Sequence, residues 1–286
     1  MRSNGGFSGA KQTVSTSAAS GIWSIRDQQR EKGANNWPKS IQVPYGTNLL
    51  VHYDASDTSS ITSSGGLVSQ LNDLSGNNYH LTSTGSYRPS TGVHTQNGKN
   101  VITIGADQSL RRYPTQVFSP GFTLVAVYRL PDTSGRYAPV GLGNSLGPNG
   151  CCDGYISLDG NTYSTAGGGL HGIYTPDSSW DINISLTTNY VVVAWSSTAV
   201  QGTSVSATTT YRVNGVAGTL SGRSVGLPNW RQMTNVAGIS LGYSASNLDG
   251  GSSNGVRIAE VAIYNAAIPL DGIQTLESFF QTKWAI

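Results

Sequence analysis

Leu49 to Asn77 reads LLVHYDASDTSSITSSGGLVSQLNDLSGN, and this stretch decides the fold. Leu49, Val51 and Tyr53 alternate with Leu50 and His52, the two-residue period of a pleated strand. The strand runs into Asp54 and Asp57 and then into a Ser/Thr/Gly-rich loop. A short apolar piece, Leu67-Val68-Ser69-Gln70-Leu71, follows. Asn72-Asp73-Leu74-Ser75-Gly76-Asn77 closes the stretch as a dense turn signal. A strand, a polar loop, a second strand and a turn within 29 residues are the rhythm of an all-β domain.

The same rhythm continues towards the C-terminus. Val101–Ile104, Phe122–Arg129, Tyr155–Leu158, Asn189–Trp195, Thr208–Val213, Ile239–Tyr243 and Val256–Tyr264 read as strands. Phe122–Arg129 is apolar on both faces, so it belongs in the middle of a sheet. Asn97-Gly98 and Asn214-Gly215 are hairpin turns. One helix ends the chain. Pro269 precedes it, Asp271 caps it with Gln274 three residues on, and Ile273, Leu276, Phe280 and Trp284 form one apolar stripe. The pattern predicts a two-sheet antiparallel jelly-roll sandwich over residues 46–286, with the helix lying on it.

Residues 1–45 read as an arm. Positions 1–20 are small, polar and aperiodic. Ser24 and Asp27 resemble a capping box for a short helix that ends near Lys32, before Gly33. Phe7, Ile22, Trp23, Ile25 and Trp37 need a surface to bury against. That surface is either their own sandwich or an assembly partner.

Composition narrows the function classes. Hydrophobic residues make up 37% and charged residues 11%, against a usual ~25% charged, so Ser, Thr, Asn and Gly carry solubility. Seventeen basic and 15 acidic residues leave a net charge of +2, which predicts no nucleic-acid partner. No apolar run reaches membrane-spanning length, and the first residues lack a signal-peptide apolar segment. Cys151 and Cys152 are adjacent, so they cannot staple distant parts of the fold. The composition of an exported protein without an export signal fits one made in a host cytoplasm and used outside the cell.

Two sets of residues could carry chemistry. Asp54, Asp57, Asn72 and Asp73 are hard oxygen ligands that could hold Ca²⁺, and the same residues serve equally as turn caps. Asp153, Tyr155, His171, Tyr174 and Trp180 offer aromatic faces and hydroxyl-reading groups to a glycan. Sandwich-loop aromatics also bury against a sheet edge. Paired glycosidase carboxylates are not evident: Glu31, Glu260 and Glu277 are the only glutamates, and Glu260 stands alone in a strand. The expectation is a chain without catalysis.

Two resemblances sharpen this reading. Tyr53-Asp54-Ala55-Ser56-Asp57, Val68-Ser69-Gln70, Asn72–Asn77 and Arg88-Pro89 resemble the start of concanavalin A-like, laminin G-like jelly-roll domains of bacterial and phage surface proteins. Ile239–Gly242, Ile258–Asn265 and a helix ending in Lys283-Trp284 resemble their end. Gly5-Gly6-Phe7, Ala19–Ser24 and Asn36-Trp37-Pro38 resemble a tag of tailed-bacteriophage structural proteins. The resemblance implies a non-enzymatic virion structural protein that is homo-oligomeric in the particle. Its arm (Phe7, Ile22, Trp23, Ile25 and Trp37) would dock on capsid or tail proteins. The alternative it implies is a tail-fibre adhesin for host surface glycans.

Overall fold

The computed structural model describes Arg26, Gln29, Arg30 and Gly33, residues 43–112, 121–134, 137–143, 156–161, 170–175, 178–198, 205–225 and 238–242, and residues 254–286. The chain divides into two units, Met1–Val43 and Pro44–Ile286. In the first, the four described residues are helical, Gly33 included, one position past the expected end at Lys32. Phe7, Ile22, Trp23, Ile25, Trp37, Cys151 and Cys152 lie outside the described residues.

In the second unit, β1 is Leu49–Asp54, β2 Ile61–Ser64, β3 Leu67–Leu71, β4 Leu81–Thr82, β5 Ser90–Gln96 and β6 Lys99–Thr103. Then follow β7 (Leu110–Arg112), β8 (Phe122–Arg129), β9 (Val140–Gly143), β10 (Ile156–Asn161), β11 (Leu170–Thr175) and β12 (Ser178–Ser185). The last strands are β13 (Tyr190–Ser197), β14 (Thr209–Val213), β15 (Val216–Gly218), β16 (Leu220–Val225), β17 (Gly238–Leu241) and β18 (Arg257–Tyr264). The helices are α1 (Val205–Thr208) and α2 (Leu270–Trp284). No helix among the described residues is long and apolar enough to cross a membrane.

The fold is mostly β and antiparallel. One run of strands is β1–β18–β8–β13–β14–β15. A second is β2–β3–β4–β7–β17–β9–β10–β11–β12–β16. Two separate sheets are expected from the sequence, but the runs are joined. β6 pairs with β18, β5 with β6, and β5 touches β3 at Ser90. A single core lies between the runs. Tyr53, Leu124, Tyr128, Trp195 and Val261 face it from the first run, and Leu71, Leu81, Leu110, Leu142, Ile182 and Leu241 from the second.

Local chemistry sets the turns. At Asn97-Gly98 the φ angles are 48° and 67°, and at Asn214-Gly215 they are 49° and 83°. Two consecutive left-handed residues match the strand twist, and Asn and Gly tolerate that region best. β8 is buried on both faces, as its apolar run requires, because α2 covers the side away from the core.

The α2 stripe is as expected: Ile273, Leu276, Phe280 and Trp284 are all buried. Its start differs. Pro269 is the N-cap, and Asp271 sits inside the first turn, where its charge favours the positive end of the helix dipole. At the other end, Gln96 Nε2 and Asn97 Nδ2 of the β5–β6 turn donate to the carbonyls of Trp284 and Lys283, at 2.8 and 3.1 Å. Arg212 on β14 reaches the buried Glu277 from below, Nε to Oε2 at 2.7 Å, and the Gly215 N–H bonds to Oε1 at 3.0 Å. Removing the ring at Phe280 leaves a void the sheet cannot close. Phe280→Ala is therefore expected to cost about 3–5 kcal/mol of unfolding free energy in urea.

Candidate functional site

The densest polar chemistry lies under the helix. Val51 and Tyr53 of β1 point to the core, so His52 and Asp54 point the other way, towards α2. Register sets Asp54 opposite Glu260 of β18. Glu260 is a charged residue inside an apolar strand, and its side chain is 0% exposed. Its Oε1 lies 2.7 Å from His52 Nε2; a carboxylate only accepts, so Nε2 carries the proton. Its Oε2 accepts from Trp284 Nε1 at 2.6 Å and from Lys283 Nζ at 2.7 Å. Lys283 also donates to Asp54 Oδ2 at 2.6 Å. The other Asp54 oxygen, Oδ1, accepts from the Ser56 N–H at 2.8 Å and the Ser56 hydroxyl at 2.6 Å. Burial alone would raise the Asp54 carboxyl. The Lys283 ammonium and the Lys283 and Ser56 hydrogen bonds outweigh it and hold the carboxyl below its usual range.

Of the four oxygen residues expected to meet, the structure brings Asp54 to His52 and Glu260. Their ligand atoms lie within 4.8 Å of one another, the only such group among the described residues. The Lys283 ammonium bonds to both carboxylates, so a metal ion would have to displace it. The other three have separate duties. Asp73 accepts from the N–H groups of His52, Ser75 and Tyr79 and from the Ser75 hydroxyl, at 2.7–3.0 Å. Asp57 Oδ1 accepts from the Ser59 N–H and hydroxyl at 3.0 and 2.6 Å. Asn72 Oδ1 accepts from Gln70 Nε2 at 2.7 Å. The Asp57 bonds and those of Asp73 to Ser75 cap local turns, and the Asp73 bond to the His52 N–H ties that turn to β1.

The expected glycan set divides as well. Asp153 and Tyr155 lie outside the described residues. His171 on β11 is buried among aromatics, its ring 6.5 Å from that of Tyr128 and 6.4 Å from that of Tyr211. Its Nδ1 lies 3.3 Å from the Tyr128 hydroxyl, and its Nε2 has no hydrogen-bond partner. Burial pushes its pKa down to about 4. Tyr174 pairs with Ser157 and Ser179, whereas Trp180 pairs with Ile173.

The face away from the core carries a feature no single strand shows. Thr62 pairs with Gln70, Gln70 with Thr82, Thr82 with Arg111, and Arg111 with Ser240. Ser240 pairs with Gly141, Gly141 with Ser157, Ser157 with Tyr174, Tyr174 with Ser179, and Ser179 with Ser224. By register, one row of positions, nine polar and one glycine, crosses ten strands, roughly 40 Å at the usual ~4.8 Å spacing. In sequence its positions alternate with the buried core residues Leu71, Leu81, Leu110, Leu241 and Leu142. A neighbouring row aligns Asp159, Gly172, Asp181 and Ser221. Ser240 and Asp181 are buried although they lie on this outer face, whereas Thr62 and Thr82 at its end are exposed.

No family model and no curated protein sequence matches the chain. Solved structures do. A Trypanosoma rangeli sialidase is 14% identical with a TM-score of 0.55; the match covers 87% of this chain and 35% of the sialidase, so the chain spans about a third of that enzyme's length. Domain 4 of a GH43 extracellular arabinanase from Geobacillus stearothermophilus, solved with arabinotriose, is 15% identical with a TM-score of 0.54. That match covers 80% of this chain and 98% of the domain. An arabinofuranosidase complexed with arabinofuranosyl-alpha-1,2-xylobiose gives 15% and 0.55, covering 82% of this chain and 59% of the enzyme.

The fold is similar to that of domains in glycoside hydrolases. The expectation of a non-enzymatic phage structural protein is corrected here: the solved structures that share the fold are a sialidase, an arabinanase domain and an arabinofuranosidase, all carbohydrate-active enzymes. That expectation rested on the jelly-roll resemblance and the short arm motifs, and its absence of catalysis on a Glu260 that stands alone in sequence. Glu260 is paired with Asp54 in space, across 206 positions of sequence that no spacing rule spans.

His171 generates a pH prediction. An unfolded histidine binds its proton below about pH 6.5, and the folded one resists protonation down to about pH 4. The neutral form therefore stabilises the fold fully above pH 6.5, and that stability is lost as pH falls towards 4. The loss from this group is about 3 kcal/mol. Urea unfolding of wild type and His171→Leu at pH 7 and pH 4 is expected to show a steeper decline in wild type.

Proposed function

We propose that the chain is a glycan-recognition domain on a two-sheet jelly-roll sandwich, serving the binding or processing of polysaccharide. The observation that supports this reading is the polar row on the outer face of the ten-strand run. Sugars present hydroxyls at regular intervals along a chain. A row of Ser, Thr, Gln and Arg positions spaced by the strand ladder offers donors and acceptors at regular intervals in turn. Its length suits an oligosaccharide rather than a monosaccharide. The arabinanase domain that shares the fold was solved with arabinotriose, a ligand of that class.

Isothermal titration of the full chain with arabino-oligosaccharides and sialyl-oligosaccharides tests the proposal. Binding is expected with at least one series, tighter for longer chains. Arg111→Ala is expected to weaken it about tenfold, the effect of one charge-assisted hydrogen bond. Parallel incubation with nitrophenyl arabinofuranoside and sialoside reports processing. A folded protein that neither binds nor cleaves any member of a broad glycan panel overturns the reading.

A further inference from the structure

We infer that Lys283 and Asp54 form an intramolecular amide bond, with Glu260 moving the protons. The cluster under α2 has every part an acyl transfer needs. The nucleophile is Lys283 Nζ, 2.6 Å from Asp54 Oδ2. The proton carrier is Glu260, whose Oε2 lies 2.7 Å from the same nitrogen. The electrophile is the Asp54 carboxyl carbon, whose other oxygen faces two donors, the Ser56 N–H at 2.8 Å and the Ser56 hydroxyl at 2.6 Å. Those donors stand where negative charge develops in a tetrahedral intermediate, the arrangement that stabilises oxyanions.

The step balances without any co-reactant. Glu260 takes one proton from the Lys283 ammonium and passes it to Asp54 Oδ2. The freed amine attacks the carboxyl carbon, and the charge moves onto Oδ1, held by Ser56. The second proton leaves the nitrogen through Glu260 to Oδ2, which departs as water as the C=O bond at Oδ1 re-forms. One N–C bond forms and one C–O bond breaks. The ion pair is the precursor, and the fold holds both partners in contact. Such fixed geometry corresponds to effective concentrations of about 10⁵ M or more, which favours amide over separated ions. Glu260 is closed to solvent, whereas the Asp54 and Lys283 side chains are 11% and 13% exposed, leaving the water a way out. His52 Nε2 and Trp284 Nε1 fix the Glu260 carboxylate in place.

The bond ties β1, at the start of the sandwich, to the last turn of the C-terminal helix, 229 residues apart. It does the work of a disulfide in a chain whose two cysteines are neighbours.

Intact-mass spectrometry of the denatured full chain decides this. Wild type is expected to be lighter than its sequence by the mass of one water, and Lys283→Arg to have its full mass. A tryptic digest of wild type is expected to contain a branched peptide joining the Asp54 segment to the Lys283 segment, uncut after Lys283. Wild type at full sequence mass overturns the proposal. So does a water lost from the Asp54 peptide alone, the mark of a cyclic imide.

Discussion

The Glu260 carboxylate is sealed from water, and a bare buried carboxylate costs several kcal/mol. It persists because three donors from two other elements converge on it: His52 from β1, and Lys283 and Trp284 from α2. Each donor needs Glu260 as much as Glu260 needs them. Without the carboxylate, the Lys283 ammonium would keep only Asp54, and the Trp284 N–H would be buried without an acceptor. This mutual requirement fixes where the helix ends relative to the first and last strands. The Arg212–Glu277 pair does the same about two turns earlier, on the opposite edge of the covered strands. The helix is thus placed by charge at two points and held by an apolar stripe between them.

That placement releases the other face for function. With α2 covering the outer side of β1, β18, β8 and β13, the ten-strand run is the side of the sandwich that carries a polar outer face. Its strands are short, two to eight residues, and each supplies one residue to the row. Register is what makes a row of them. A one-residue slip in any ladder would turn its polar position into the core and a leucine outwards. The packing of Leu71, Leu81, Leu110, Leu142 and Leu241 therefore specifies the surface chemistry on the opposite side.

The low charge content takes on a different meaning in this light. An outer face of Ser, Thr, Gly and Tyr positions is polar without a strong field, the character that the proposed recognition of a neutral or mildly charged sugar polymer calls for. Arg111 is the one cation in the row, and Asp159 and Asp181 are acids in the row beside it. The likeness to glycoside-hydrolase domains at 14–15% identity speaks to fold. The chemistry has to be carried by this chain's own residues.

Much of the architecture was legible in the sequence. Two-residue alternation at Val51 and Tyr53, the double-sided run Phe122–Arg129, the two Asn-Gly turns and the Ile273–Trp284 stripe are local patterns with local physical causes. Asp57 and Asp73 likewise cap turns a few residues away, within reach of any reading of the chain. What only the tertiary structure decided is long-range. It is the meeting of Asp54 with Glu260 and Lys283 across 206 and 229 positions, the alignment of nine scattered polar residues and one glycine, and the burial of His171 between aromatics. None of these follows from spacing, because each depends on strand order and register. Strand order and register are set by the simultaneous packing of all the strands around one core, a sum over contacts that no short stretch of sequence contains.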